Sequence, residues 1–259
     1  MSEKSGDTEV VAGRNAVREL LKAKQPIVRL YLAEGAHGGS IGEILALAKS
    51  QGVPWSTVPR AALQEMTAGG THQGVAARIA AVPTQPLERF LERAQQDPPA
   101  LFVALDAVQD PHNVGAIARS AEAAGADGLL LTAHGGAGLT NEVARAAAGA
   151  LAWLPVARPS SLAQAILRFK EAGLWVVGAD ASAALTYDQV DWKQPTLLVL
   201  GSEGSGLSRL VKERCDLLAR IPLYGQIASL NVSVAAALFL FAAARQREEA
   251  GYRAPHPAG

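Results

Sequence analysis

The sequence is short of the residues that most simple chemistries need. It has one cysteine among 259 residues, so an internal disulfide and a thiolate zinc site are both excluded, and Cys215 reads as a small core residue. Its five histidines are scattered and form no ligand cluster. No pair of carboxylates has acid–base spacing, and there is no serine elbow and no metal-ligand pattern. The polar, mixed-charge start MSEKSGDTEV has no apolar core of a signal peptide. The most apolar run, residues 232–244, is shorter than the roughly 20 residues that span a bilayer and reads as a buried core helix. A cytoplasmic, soluble protein without metal or membrane partner is expected. Net charge is absent too: 24 basic residues balance 24 acidic ones. Nine basic and seven acidic residues stand up to Pro83, and thirteen against fourteen from Ala100 onward. A nucleic-acid partner would therefore have to be bound by a local patch or by shape.

Residues 11–82 alternate helix and strand signals. GRNAVRELLKA places Ala16, Leu20 and Ala23 on one helical face. Residues 28–32 and 53–58 read as strands, 41–50 as a helix, and VAARIAAV after Gly74 as a further strand. Four of the seventeen residues in PTQPLERFLERAQQDPP are proline, so 83–99 reads as a linker with one helical stretch at 87–95. Residues 1–10 and 250–259 read as disordered tails. From residue 100 to 249, apolar strand runs (LFVALD, DGLLLT, LWVVGAD, TLLVLG) alternate with helices at 113–124, 140–149 and 162–172. A short strand at 154–157, a short helix from Leu207, the run DLLARIPL and a long last helix complete the series. This pattern implies a parallel α/β sheet covered on both faces. No internal repeat is present.

Ligands of such sheets bind beyond the carboxyl ends of the strands, and three loops stand out there. In DAVQDPHNVGAIAR, Pro111 stiffens the turn and Asn113 occupies a helix N-cap position. Arg119 lies nearly two turns on and reads either as a surface arginine or as a phosphate clamp. LGSEGSGL has three glycines in six residues, which admits close backbone approach to a ligand, yet it is neither a P-loop nor G-x-G-x-x-G. Glu203 in this loop is placed to accept hydrogen bonds. IPLYGQIASLNVS sets Ser229 as an N-cap and Asn231 in the first turn of an apolar helix. His112 reads as a turn histidine or, by residue type, a base. These loops alone define an α/β enzyme with its chemistry open.

Three ordered motifs narrow this: DPHNVGAIARSAEAAGADGLLL, LLVLGSEGSGL and IPLYGQIASLNVSVAAAL. They resemble the SpoU (TrmH-like) family of RNA 2'-O-ribose methyltransferases, within the SPOUT superfamily. GRNAVRELL and THQGVAARIA resemble the L30e-like RNA substrate-binding domain of one branch, the RlmB-type enzymes acting on a 23S rRNA guanosine. The resemblance implies an L30e-like α/β domain at 11–82 and a SPOUT methyltransferase domain at 100–249, with a deep trefoil knot over roughly 195–244. S-adenosyl-L-methionine is the implied cofactor, held by Gly201, Ile221, Leu223 and Leu230. The implied catalytic positions are Asn113, Arg119, Glu203, Ser229 and Asn231, serving attack of a ribose 2'-oxygen on the sulfonium methyl. RNA and a second copy of the chain are the implied partners, with the last helix at the dimer interface. Relatives often carry serine at Ala147 and glutamate at Ala152, which bears on the RNA recognised. A tRNA enzyme, a resistance-type rRNA enzyme, or a non-catalytic ribosome-assembly factor with this fold remain open alternatives.

Overall fold

The computed structural model describes residues 8–22, 27–67, 69–80, 84–133 and 135–252, and the chain falls into two compact units dividing between 83 and 84.

The first unit runs β1 (Thr8–Ala12), α1 (Arg14–Lys22), β2 (Ile27–Ala33), α2 (Gly39–Ser50), β3 (Trp55–Val58), α3 (Arg60–Met66) and β4 (Val75–Ala80). The strands form one sheet in the order β1-β4-β2-β3. β4 is antiparallel to β1 and β2, and β2 is parallel to β3. β1 corrects the expected N-terminal tail: residues 8–10 pair with β4 from Thr8 onward, because Val10 and Val11 have apolar surface to bury beside the sheet. On one face the sheet packs Leu30, Leu32, Val75 and Ala77 against Val17, Leu20, Leu21, Ile41 and Ile44 of α1 and α2. The buried face of α1 is thus Val17, Leu20 and Leu21, and Ala16 is exposed; Ala23 lies outside the described residues. The larger branched side chains gain more from burial than alanine does. On the other face α3 covers Tyr31, Ala33 and Ala76 with Leu63.

In the second unit the stretch read as a linker is packed structure. Thr84 bridges Val156, and α4 (Leu87–Ala94) buries Phe90 and Ala94. The Phe90 ring lies 5.5 Å from that of Phe102, which lies 5.3 Å from Phe169. The order continues with β5 (Leu101–Asp106), α5 (Pro111–Ala123), β6 (Gly128–Leu131), α6 (Asn141–Ala146), a 3-10 turn (Ala150–Ala152), β7 (Val156–Ala157), α7 (Leu162–Glu171), β8 (Trp175–Ala179), β9 (Leu185–Thr186), β10 (Thr196–Gly201), α8 (Arg209–Arg214), β11 (Leu217–Arg220) and α9 (Val232–Glu249). α6 stops three residues before the expected end because Ala148 and Gly149 take positive φ.

The seven strands lie in the order β7-β6-β5-β10-β8-β11-β9, and every pairing is parallel. β5 and β10, at the centre, are buried along their whole length. One face holds Val114, Ile117 and Ala121 of α5 and Ala236, Phe239 and Leu240 of α9. The other holds Phe90, Ile166, Phe169 and Val211 from α4, α7 and α8. Among the described residues no helix is long and apolar enough to cross a membrane. α9 is buried on one face only: Val234, Leu238 and Phe241 are exposed.

The far end of α9 is anchored by Arg247, only 8% exposed. Its guanidinium donates to the carbonyls of Trp192 (2.8 Å), Pro99 (2.6 Å), Ala100 (3.0 Å) and Gln194 (2.9 Å). Replacing it strips donors from several carbonyls at once, and each lost charge-assisted bond is worth roughly 1.5–3 kcal/mol. Arg247→Met is expected to lower the unfolding free energy by about 3 kcal/mol, measured by urea denaturation; an unchanged midpoint would show that this clamp contributes nothing.

Candidate functional site

β5, β10 and β11 end at Asp106, Gly201 and Arg220, and the three singled-out loops leave from those carboxyl ends. Each loop is shaped by local chemistry. After β10 the chain reverses so tightly that Ser202 and Gly206 exchange backbone hydrogen bonds of 3.1 and 3.0 Å. A Cβ on Gly201 would fall 2.1 Å from the Gly206 carbonyl carbon, so only glycine fits. Gly204 and Gly206 take positive φ, 91° and 67°. The loop is tied back to β5 by Asp106, 7% exposed, whose carboxylate accepts the Ser208 N–H at 2.7 Å. Sequence reasoning missed Asp106; an acidic residue closing an otherwise apolar strand was the signal for it.

The cap of α5 is Asp110, which accepts the His112 N–H at 2.9 Å with Pro111 at the first helical position. Asn113 is not the cap but sits in the first turn, only 6% exposed. At α9 the assignment of Ser229 and Asn231 is likewise reversed. Asn231 is the cap: its Oδ1 accepts from Ser233 N (2.9 Å), Ser233 Oγ (2.6 Å) and Val234 N (3.4 Å). Ser229 is exposed in the preceding loop and makes no hydrogen bond among the described residues. An N-cap must lie two or three residues before the amides it receives, and only position 231 meets that spacing.

These two asparagines meet on Glu203. Its Oε1 accepts from Asn231 Nδ2 (2.7 Å), Asn113 Nδ2 (3.1 Å) and Val232 N (3.3 Å). Asn231 Nδ2 also donates to Asn113 Oδ1 at 2.9 Å. The carboxylate therefore sits at the amino end of α9, where the helix dipole favours negative charge. Asn231 has spent both its N–H bonds and its carbonyl oxygen internally. It fixes geometry rather than reaching a ligand. The polar groups of the cluster left without a partner among the described residues are one Asn113 N–H and Glu203 Oε2.

Arg119 is not drawn into this cluster. It is exposed on α5 and has no hydrogen bond or ion pair among the described residues. His112 uses only its backbone N–H. Of the implied cofactor residues, Gly201 is buried, Ile221 and Leu230 are half-buried, and Leu223 is exposed. Among the described residues no group of three His, Cys, Asp or Glu is placed to hold a metal ion.

Comparison with known proteins decides the family. The SpoU rRNA Methylase family profile matches residues 100–241. The chain belongs to this family. A second profile, RNA 2'-O ribose methyltransferase substrate binding, matches residues 10–85 of this SpoU protein. YacO of Bacillus subtilis, assigned to the TrmH family of tRNA/rRNA methyltransferases, is 42% identical over 244 residues, 94% of this chain and 98% of its own length. An uncharacterised tRNA/rRNA methyltransferase of Mycolicibacterium vanbaalenii is 44% identical over 96% of this chain and 80% of its own length. Among solved structures, the AdoMet-bound rRNA methyltransferase from Sinorhizobium meliloti matches with TM-score 0.61 and 28% identity, covering 92% of this chain and 87% of that one. The SpoU methyltransferase AviRb of Streptomyces viridochromogenes, in complex with AdoMet, matches with TM-score 0.62 and 26% identity, over 93% and 91%.

Two positions where this SpoU chain departs from the motif pattern have different settings. Ala147 is fully buried, beside the close approach of α5 and α6, where a Cβ on Gly115 would meet the Ala146 Cβ at 2.4 Å. Ala152 is exposed.

Cys215 ends α8, and its Sγ donates to the Val211 carbonyl at 3.3 Å. Burial, followed by the Asp216 carboxylate, pushes its thiol up from 9.0 to about 12. A raised thiol pKa keeps the neutral form at physiological pH, so the reactive thiolate is scarce. At pH 8 alkylation by iodoacetamide should run about a thousandfold slower than for a free thiol, the ratio of thiolate fractions; labelling at the rate of free cysteine would contradict this.

Proposed function

We propose that this SpoU protein is an S-adenosylmethionine-dependent 2'-O-methyltransferase of RNA, acting on a guanosine ribose of 23S rRNA as RlmB-type enzymes do. The observation that carries the reading is the Asn113–Glu203–Asn231 cluster, built from all three motifs at the carboxyl edge of the sheet. The profile over residues 10–85 carries the 2'-O ribose description, and related structures hold AdoMet.

The chain's own residues fit the cofactor. Ile221 and residues 223–230 have no N–H donating within the chain among the described residues. Ile221, Leu223 and Leu230 add apolar surface beside these free donors, and the turn after Gly201 brings backbone close. Ile221, Leu223, Leu230 and Gly201 would hold the ligand largely through main-chain groups. When bound, S-adenosylmethionine supplies an electrophilic methyl group on sulfonium.

The protein's contribution is position and electrostatics. Glu203 locks the Asn113 and Asn231 amides, so that the unpaired Asn113 N–H and Glu203 Oε2 hold the ribose. Arg119, free of partners among the described residues, grips an RNA phosphate bidentately and stabilises charge developing on the 2'-oxygen. An arginine, with a pKa above about 12, does not serve as the base; the proton leaves to phosphate or water. Ser229 lies free in the same loop to contact RNA or cofactor. The insertion of β10 between β5 and β8, both earlier in the chain, supports the trefoil-knotted path over 195–244. Val234, Leu238 and Phe241 on the open side of α9 support a homodimer, with Arg119 serving its own or the partner's site. Action on ribosomal RNA places the protein in the cytoplasm.

Radiolabelled S-adenosylmethionine and separate pools of unmodified 23S rRNA, 16S rRNA and tRNA test the reading. Label is expected in 23S rRNA as 2'-O-methylguanosine. Arg119→Ala should reduce it by about 100-fold, and Arg119→Lys should fail to restore it, because an ammonium lacks the guanidinium fork. Label confined to tRNA would reassign the substrate. No label in any RNA, with cofactor binding intact, would make the chain an assembly factor. For the dimer, light scattering should give twice the 26.9 kDa chain mass and a single-chain mass for Phe241→Glu; a monomeric native protein would overturn it.

A further inference from the structure

The first unit carries two cations that the cluster on Glu203 leaves unexplained. Along β2, Leu30 and Leu32 face α1 and α2, whereas Tyr31 and Ala33 face α3; alternation puts Arg29 on the α3 side with them. β4 alternates in step, with Ala77 and Ile79 facing α1 and α2 and Ala76 facing α3. Arg78 therefore shares the α3 side, and the register sets it directly opposite Arg29. A shift in register between Ile27 and Arg29 marks this place, and such irregularities re-aim side chains. α3 has only seven residues. It covers Tyr31, Ala33 and Ala76 and leaves Arg29 exposed and Arg78 half-buried.

Like charges directly opposed on a sheet are destabilising, and no carboxylate pairs with either of these two among the described residues. Glu43 pairs with Arg18 and Lys22 on the helical side. Arg29 Nη1 donates instead to Ser56 Oγ at 2.7 Å. The Arg78 guanidinium lies over the Tyr31 ring, 5.3 Å from its centre. Both charged heads are thus held in place on neutral supports, which leave most of their N–H donors available.

We propose that Arg29 and Arg78, with Ser56 and Tyr31 beneath them, form a docking surface for the sugar–phosphate backbone of the RNA substrate. The inference rests on the reading of the chain as an RNA methyltransferase. Side chains opposed across paired strands stand roughly 5 Å apart, so both forks can engage one stretch of backbone. A guanidinium matches phosphate oxygens bidentately, and the anion removes the mutual repulsion of the pair. Among the described residues neither arginine is paired with a carboxylate, and a pair of guanidinium forks on a backbone anchors RNA without selecting sequence. It also gives a chain of zero net charge a local cationic site.

The test compares the full chain with its Arg29→Ala/Arg78→Ala variant in binding to transcribed 23S rRNA across a potassium chloride series. Affinity is expected to fall about tenfold near 0.1 M salt, and the slope of log K against log salt to become shallower by about 1.5, the loss of two phosphate contacts. S-adenosylmethionine affinity should match the native protein, and the thermal midpoint should not fall, because removing the opposed pair also removes its repulsion. An Arg29→Lys/Arg78→Lys variant, which retains charge, should recover the slope. An alanine variant with native affinity and native slope would overturn the docking surface and leave the methyltransferase reading intact. A native protein that binds S-adenosylmethionine but no RNA would overturn both.

Discussion

The second unit depends on a single oxygen atom receiving three donors. Glu203 Oε1 gathers an amide from the first turn of α5, an amide from the cap of α9 and the first N–H of α9 itself. Two helix starts and one strand-end loop are thereby brought to one point, and the polar groups that would otherwise be stranded there are satisfied together. The members are unequal: losing the carboxylate strands three donors, losing Asn231 strands the three that its Oδ1 receives, and losing Asn113 removes one acceptor from Asn231 Nδ2. The cluster is a positioning device with few polar groups left unpaired, consistent with a reaction in which the cofactor brings the reactive carbon.

The sheet sets where that point can lie. β5 and β10 are neighbours over six paired positions, so their ends, Asp106 and Gly201, emerge side by side. Asp106 then holds the Gly-rich turn from below through Ser208. Gly201 lets that turn fold onto its own strand. α9 spans the unit between two anchors, the Glu203 cluster at its start and the Arg247 clamp near its end. Its remaining freedom is at the exposed apolar side.

Much of this was legible in the residues, and what was not has physical reasons. β5 and β10 read plainly because strands buried on both faces must be apolar throughout. β9, at two residues, is below any periodicity. β1 was hidden by the polar Thr8 and Glu9, since a strand pairs through its backbone whatever its side chains. The stretch 83–99 looked like a linker by composition, yet Phe90 and Ala94 form a buried face that outweighs its prolines. Around the site, residue identities were readable and contacts were not. Asp110 and Asn231, rather than Asn113 and Ser229, cap the helices, because capping is decided by a spacing of two or three residues to a free amide. Once those caps are fixed, Asn113 and Asn231 have side-chain amides left to meet Glu203. Arg119 has no hydrogen bond or ion pair among the described residues, so neither its partner nor its place in the site could be read from the sequence.

The order of the chain gives the cluster a history. Asn113 contacts Glu203 across 90 residues and Asn231 across 118. No fragment ending before residue 231 contains all three groups, whatever else it has folded. β5 and α5 are made long before β10, which pairs with β5, and α9, which covers the same face as α5. The cluster is therefore among the last features the growing chain can assemble, closed only when the start of the last helix has been made.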